Sequence, residues 1–197
     1  MRIRLVPLLS ALSLCGCGGP TPSAVVDDRD RQVLEAVLLH LLPKSEFDLA
    51  GVGPNGTIIL DSQTPGGDRL FKPDVMSRPR DIGPGHAVPT DVQADALRRN
   101  GDVPASFDHL KFDPRITLAR LPRSRGRGNG DSQWFQHKWP NGRAWLHAWL
   151  PGYSTDGTRA IVRGWIGPSD HGALLTAFMT KNGGKWSVEW YYFDRFK

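Results

Sequence analysis

The polar residues best placed to do chemistry fall in the last third of the chain: His147, Arg163, Thr176 and Glu189, interleaved with Trp145, Trp165 and Tyr191. An imidazole, a guanidinium, a hydroxyl and a carboxylate on one aromatic-rich face suit a small polar or anionic ligand. Trp145 and Trp165 would act as stacking walls and Arg163 would read the charge. Catalysis by the same set would need His147 as a base near Glu189. A second reactive pair, Cys15 and Cys17, lies at the other end of the chain, and these are its only two cysteines.

Whether those polar residues meet depends on the strands that carry them. Four strand-like runs follow one another at short spacing: Ala144 to Gly152, Thr158 to Gly167, Gly172 to Lys181 and Gly184 to Phe193. The turns between them contain Asp156-Gly157, Gly167-Pro168-Ser169-Asp170 and Asn182-Gly183, which is the pattern of an antiparallel meander. Asn182-Gly183 as a two-residue turn places Phe178 opposite Ser187, Thr176 opposite Glu189 and Leu174 opposite Tyr191. A four-residue loop from Pro168 to His171 pairs Ile161, Arg163 and Trp165 with Phe178, Thr176 and Leu174. Placing Gly152 opposite Thr158 then sets His147 against Arg163.

This register predicts an aliphatic core face bearing Ala144, Leu146, Ala148, Val162, Leu175, Ala177, Met179, Trp186, Val188 and Trp190. The opposite, mixed face carries the row His147, Arg163, Thr176 and Glu189 among Trp145, Trp149, Trp165 and Tyr191. Two readings of that face stay open. Either the N-terminal helix covers it and Arg163 pairs with Glu189 beneath the cover, or the face is the floor of a ligand site.

Upstream, Asp27 and Asp28 can cap a helix from about Arg29 to Leu42, with Val33, Leu34, Val37, Leu38 and Leu41 at helical spacing and Pro43 as its stop. Thr57 to Leu60 reads as a short strand. The segment from Pro65 to Pro89, dense in proline and glycine, reads as irregular loop. Thr90 looks like the N-cap of a helix over Asp91 to Arg99, with Asn100-Gly101 as a left-handed stop. Arg115 to Leu121 reads as a strand, and Ser132 as the cap of a short helix carrying Trp134, Phe135, Lys138 and Trp139, although Asn141-Gly142 leaves a hairpin open there. Between these two, Pro122 to Gly130 is a basic, glycine-punctuated stretch that reads as a solvated loop or an anion-holding one. The fold class expected is therefore α+β: an antiparallel meander of four or more strands, an N-terminal helix packed on it, and a long irregular middle.

The first residues set an address. Arg2 and Arg4 precede the apolar run from Leu5 to Leu14, so residues 1–16 read as a signal peptide, too short to span a bilayer as a helix. Leu14-Cys15-Gly16-Cys17 resembles the bacterial lipobox, in which a leucine three places before the cysteine and a small residue just before it direct cleavage ahead of a lipidated cysteine. Cys17 fits that pattern, whereas Cys15 does not. The resemblance implies a lipoprotein of the bacterial cell envelope, held in the membrane by lipid on Cys17, with residues 17–26 as a flexible tether and 27–197 as a single domain. Ordinary signal-peptidase cleavage is the alternative.

The rest of the composition narrows the chemistry. After cleavage the domain holds no cysteine, so a disulfide framework, a cysteine nucleophile and a thiolate metal site all drop out. The six histidines show no metal-ligand spacing, and no nucleophile elbow, phosphate loop or dinucleotide fingerprint is present; neither metal nor cofactor is expected. Without Arg2 and Arg4 the formal charge of +5 falls to +3, which together with export argues against a nucleic-acid partner. An envelope protein or a small polar or anionic ligand fits better. These features favour a non-enzymatic binding or structural module, with a hydrolase working on the mixed sheet face as the alternative.

Trp134-Phe135 with Trp139-Pro140, the run from Gly152 to Val162 (Gly-Tyr-Ser-Thr-Asp-Gly-Thr-Arg-Ala-Ile-Val), and Asn182-Gly183-Gly184-Lys185-Trp186-Ser187-Val188 together resemble a group of exported bacterial proteins without an established activity. Val33 to Leu38 and Ala96 to Asn100 extend the likeness over most of the mature chain. The final hairpin is similar to those that end cone-shaped folds of the nuclear transport factor type, whose several N-terminal helices are not evident here.

Overall fold

The computed structural model describes residues 25–66, 82–83, 85–101, 103–122, 130–168 and 173–195. Cys15, Cys17, the signal peptide, most of the tether, the arginines of the basic stretch and His171 lie outside them.

Among the described residues, three α-helices and seven strands make an α+β domain. Helix α1 (Asp28–Leu41) starts on a capping box, in which the Asp27 carboxylate accepts from the Asp30 backbone and Asp30 reciprocates, satisfying two amides that the first turn leaves without partners. Its buried stripe is Val33, Leu34, Val37, Leu38 and Leu41. Strand β1 (Thr57–Asp61) is followed by α2 (Thr90–Arg99), β2 (Ile116–Ala119) and α3 (Gly130–Lys138). The remaining strands are β3 (Gly142–Ala148), β4 (Gly152–Tyr153), β5 (Arg159–Gly167), β6 (Ala173–Asn182) and β7 (Lys185–Arg195).

The sheet is mixed rather than a pure meander. Its order is β2-β1-β3-β5-β6-β7, with β4 paired to β5. Strand β1 lies parallel to both β2 and β3, while every other pair is antiparallel. A strand flanked on both sides within a covered sheet buries both of its faces, and Ile58, Ile59 and Leu60 are all buried. The continuous apolar run at 58–60 has this physical cause.

The β5–β6 register is the expected one: Ile161, Arg163 and Trp165 oppose Phe178, Thr176 and Leu174. Two other registers differ. In β3–β5, His147 opposes Trp165 rather than Arg163, a slip of two residues that keeps every side chain on its expected face. The chain leaves the ladder after β3 and re-enters as β4, where Gly152 opposes Ile161. The turn of the β6–β7 hairpin is Gly183-Gly184, not Asn182-Gly183, with φ of +56° and +83°. Both central positions of this tight turn need positive φ, and two glycines meet that need at lower cost than an asparagine and a glycine.

Further along β7 the pairing jumps from Met179–Val188 to Phe178–Trp190, leaving Glu189 as an extra, unopposed residue. This bulge reverses the faces beyond it. Tyr191 therefore joins the aliphatic side and Trp190 the mixed side, the opposite of the expectation for each.

Helix α1 also packs on the aliphatic face, not the mixed one: its buried stripe shares one cluster with Ala144, Leu146, Ala148, Val162, Leu175, Ala177 and Met179. The mixed face is covered at one end by α2, whose Val92 and Ala96 pack on Trp149, Ile161 and Phe178. At the other end, Phe135 of α3 packs with Ile59 and Leu121. Asn100 ends α2 at φ −109°, outside the left-handed region, and its side-chain amide donates to the Ala96 and Leu150 carbonyls.

Candidate functional site

Strand β1 sets the site. Its last residue, Asp61, stands at the carboxyl end of the parallel β2-β1-β3 group, opposite Ala119 of β2. Because Ile59 opposes Trp145, the next side chain of β1 on that face, Asp61, falls beside His147. His147 Nδ1 lies 2.6 Å from Asp61 Oδ2. The other carboxylate oxygen accepts from the backbone amides of Leu121 and Gln63, each at 3.3 Å, and Arg120 Nη1 lies 3.7 Å from it. The carboxylate is thus held from three further directions while only 2% of Asp61 is exposed.

An ionised carboxylate only accepts hydrogen bonds, so Nδ1 carries the proton that faces Asp61, and in the uncharged form of such a ring Nε2 is the bare nitrogen. No hydrogen bond within the described residues reaches Nε2, and Nε2 is not among the fully buried polar atoms that lack a partner. Nε2 is therefore not fully buried, and the His147 side chain as a whole keeps 14% exposure.

Two tryptophans flank the imidazole. The Trp145 ring meets it edge-on, with centroids 5.0 Å apart and planes 73° from parallel. Trp145 lies across Gly167, where an added Cβ would come within 2.3 Å of the indole, so the absence of a side chain at 167 creates the seat for this ring. Trp165 opposes His147 on β5. The next rung holds Trp149, Arg163, Thr176 and Tyr192, with Arg163 and Thr176 both buried. The His147 rung lies between the part of the sheet covered by α2 and the part covered by α3. No protein-family model matches the chain, and no curated protein or solved structure does.

Five of the expected site residues share the mixed face: Trp145, His147, Arg163, Trp165 and Thr176. Two do not belong to the site. Glu189 sits exposed on the bulge, too displaced to pair with Arg163 or serve His147. Tyr191 opposes Ala177 and turns to the α1 side, where its hydroxyl donates to Glu46 Oε1 at 2.5 Å. That bond, aided by burial and by the negative charge of Glu46, pushes the phenol up to about 12. Trp190 takes the mixed side instead, stacked between Phe178 at 5.4 Å and His86 at 4.3 Å.

The residue that sequence reasoning missed is Asp61. Its signal was an acid closing an aliphatic run, Ile58-Ile59-Leu60-Asp61, at the end of a strand. That signal gains meaning only once β1 is known to lie beside β3. Among the described residues no group of three histidine, cysteine or acidic side chains could hold a metal ion.

Proposed function

We propose that the chain is an exported lipoprotein of the bacterial cell envelope, anchored through Cys17, whose domain binds a small polar or anionic ligand on the mixed sheet face. The observation supporting the ligand site is the partly exposed His147 ring against Trp145 and opposite Trp165, one rung from the buried Arg163. Buried polar groups concentrated among large aromatic rings, next to an imidazole that solvent still reaches, are the usual composition of a small-molecule site. The anchoring part rests on the lipobox-like Leu14-Cys15-Gly16-Cys17 and on the likeness to exported bacterial proteins. Among the described residues no helix is long and apolar enough to cross a membrane.

Both parts have direct tests. In cells fed a clickable fatty acid, the chain should take up label that Cys17→Ala abolishes and Cys15→Ala leaves in place; undiminished label on Cys17→Ala refutes the anchor. Acetate or inorganic phosphate, titrated against the isotope-labelled mature chain, should move the signals of His147 and the Trp165 indole. Titrations that move neither refute the ligand site. A second reading, a hydrolase, is favoured by one observation, the pairing of Asp61 with His147 at the carboxyl end of parallel strands.

A further inference from the structure

We propose that His147 is a general base that takes a proton from water through Nε2, and that Asp61 is its positioning residue. This rests on the ligand-site reading and adds chemistry to it. Three features of the molecule support it.

The first is orientation. A histidine serves as a base only if one nitrogen is bare and aimed where a proton can be collected. Asp61 fixes the ring by holding Nδ1–H at 2.6 Å. Asp61 is itself fixed by Leu121 N, Gln63 N and Arg120, so the imidazole has a partner that does not swing away.

The second is exposure. A histidine acting only as a strut between β1 and β3 gains nothing from a solvent-reached nitrogen. Here the carboxylate is buried, at 3% side-chain exposure, and the ring keeps 14%.

The third is position. In sheets with parallel strands, ligands gather beyond the carboxyl ends, and Asp61 is the final residue of the parallel β1. The substrate class that fits is a small acyl ester. Its carbonyl oxygen gains negative charge on attack, and the half-exposed guanidinium of Arg120 stands beside Asp61. In the step itself, Nε2 removes a proton from water and the water oxygen bonds to the carbonyl carbon while the carbonyl π pair moves onto oxygen. Collapse restores the carbonyl and breaks the ester C–O bond, whose electron pair leaves with the alcohol oxygen. The imidazolium returns its proton to that oxygen or to solvent.

The test uses the mature chain and p-nitrophenyl acetate, which yields acetate and p-nitrophenolate. His147→Gln should remove the protein-dependent rate, a loss of about 100-fold or more. Asp61→Asn should lower it at least about 10-fold and Asp61→Glu should restore part of it, whereas exposed His137→Gln should leave it unchanged. Thermal melts of each variant separate lost chemistry from lost fold. If Asp61→Asn does not fold, His147→Gln and Asp61→Glu decide. A wild-type rate equal to that of His147→Gln, with acetate still moving the Trp165 signal, overturns the base and leaves the ligand site standing. Absence of both rate and shift overturns both.

Discussion

Replacing Arg99 with methionine should destabilise the domain by about 3–5 kcal/mol, because it strands a buried carboxylate. Arg99 of α2 holds Asp30 of α1 through two bonds, Nη1 to Oδ1 at 2.6 Å and Nη2 to Oδ2 at 2.9 Å. Its remaining donors reach the Pro151 carbonyl at 2.7 Å and the Val25 carbonyl at 3.2 Å. Tyr153 of β4 donates to the same Asp30 oxygen at 2.8 Å, and the Arg29 guanidinium lies 3.7 Å from the centre of the Tyr153 ring. Burial, reinforced by the negative charge of Asp30, pushes the Tyr153 phenol well above its usual range. Burial alone would pull Arg99 down, but the bonds and charge of Asp30 outweigh it and raise it.

One charge pair thus ties α1, α2 and β4 together, a buried, mutually dependent ion pair of the kind that one of the two sequence readings placed between Arg163 and Glu189. Asp30→Leu alone should cost a similar amount. The double variant should recover much of the loss, reduced by the now unpartnered Tyr153 hydroxyl. Denaturant midpoints for the three variants check this, and three small, additive effects would contradict it.

Gly152→Val should cost about 3 kcal/mol, near the upper end of what overpacking usually costs. A Cβ at position 152 would come within 2.4 Å of Ala96 Cβ and 2.6 Å of both the Ala96 amide nitrogen and the Val92 carbonyl oxygen. Two of those three atoms belong to the α2 backbone and cannot turn aside as a flexible side chain would. Helix α2 would have to lift from the sheet and give up the packing of Val92 and Ala96 on Trp149, Ile161 and Phe178. It would also strain the Arg99–Asp30 pair. A melting temperature within 2–3 °C of the parent, given that 1 kcal/mol is worth roughly 2–8 °C depending on domain size, would show that this close approach does not exist in solution.

What the sequence revealed was local. The α1 stripe and its aspartate cap, the span of α2 to within one residue (Thr90 is its first residue and not its cap), and the β5–β6 register from the Gly167-Pro168 loop all follow from spacing of three to ten residues. The errors share a physical origin in contacts that local pattern does not encode. The β3–β5 hairpin slipped by two because the chain breaks at 149–151 before pairing again, and a two-residue slip leaves alternation, and so the faces, unchanged. The bulge at Glu189 was invisible because alternation of Trp186, Val188 and Trp190 continues straight through it. Tyr191 was lost from the site for that reason alone.

Parallel pairing of β1 with β2 and β3 brings together residues about 60 and 86 positions apart, and nothing in the intervening loops announces it. Hence His147, Trp145 and Trp165 were legible, while Asp61, which gives the imidazole its orientation, was not. Helix α1 went to the wrong face because either face offered enough apolar surface. Its purely aliphatic stripe matches the aliphatic side, while the aromatic side takes the smaller Val92 and Ala96 of α2.

The geometry of His147 and Asp61 is most directly tested by nitrogen NMR of the imidazole rings in the mature chain labelled with ¹⁵N-histidine. In its uncharged form the His147 ring should show a protonated Nδ1 and an unprotonated Nε2, and Asp61→Asn should abolish that preference for one tautomer. A His147 ring that carries its proton on Nε2 in the parent protein, with a pattern indifferent to Asp61→Asn, would contradict the account.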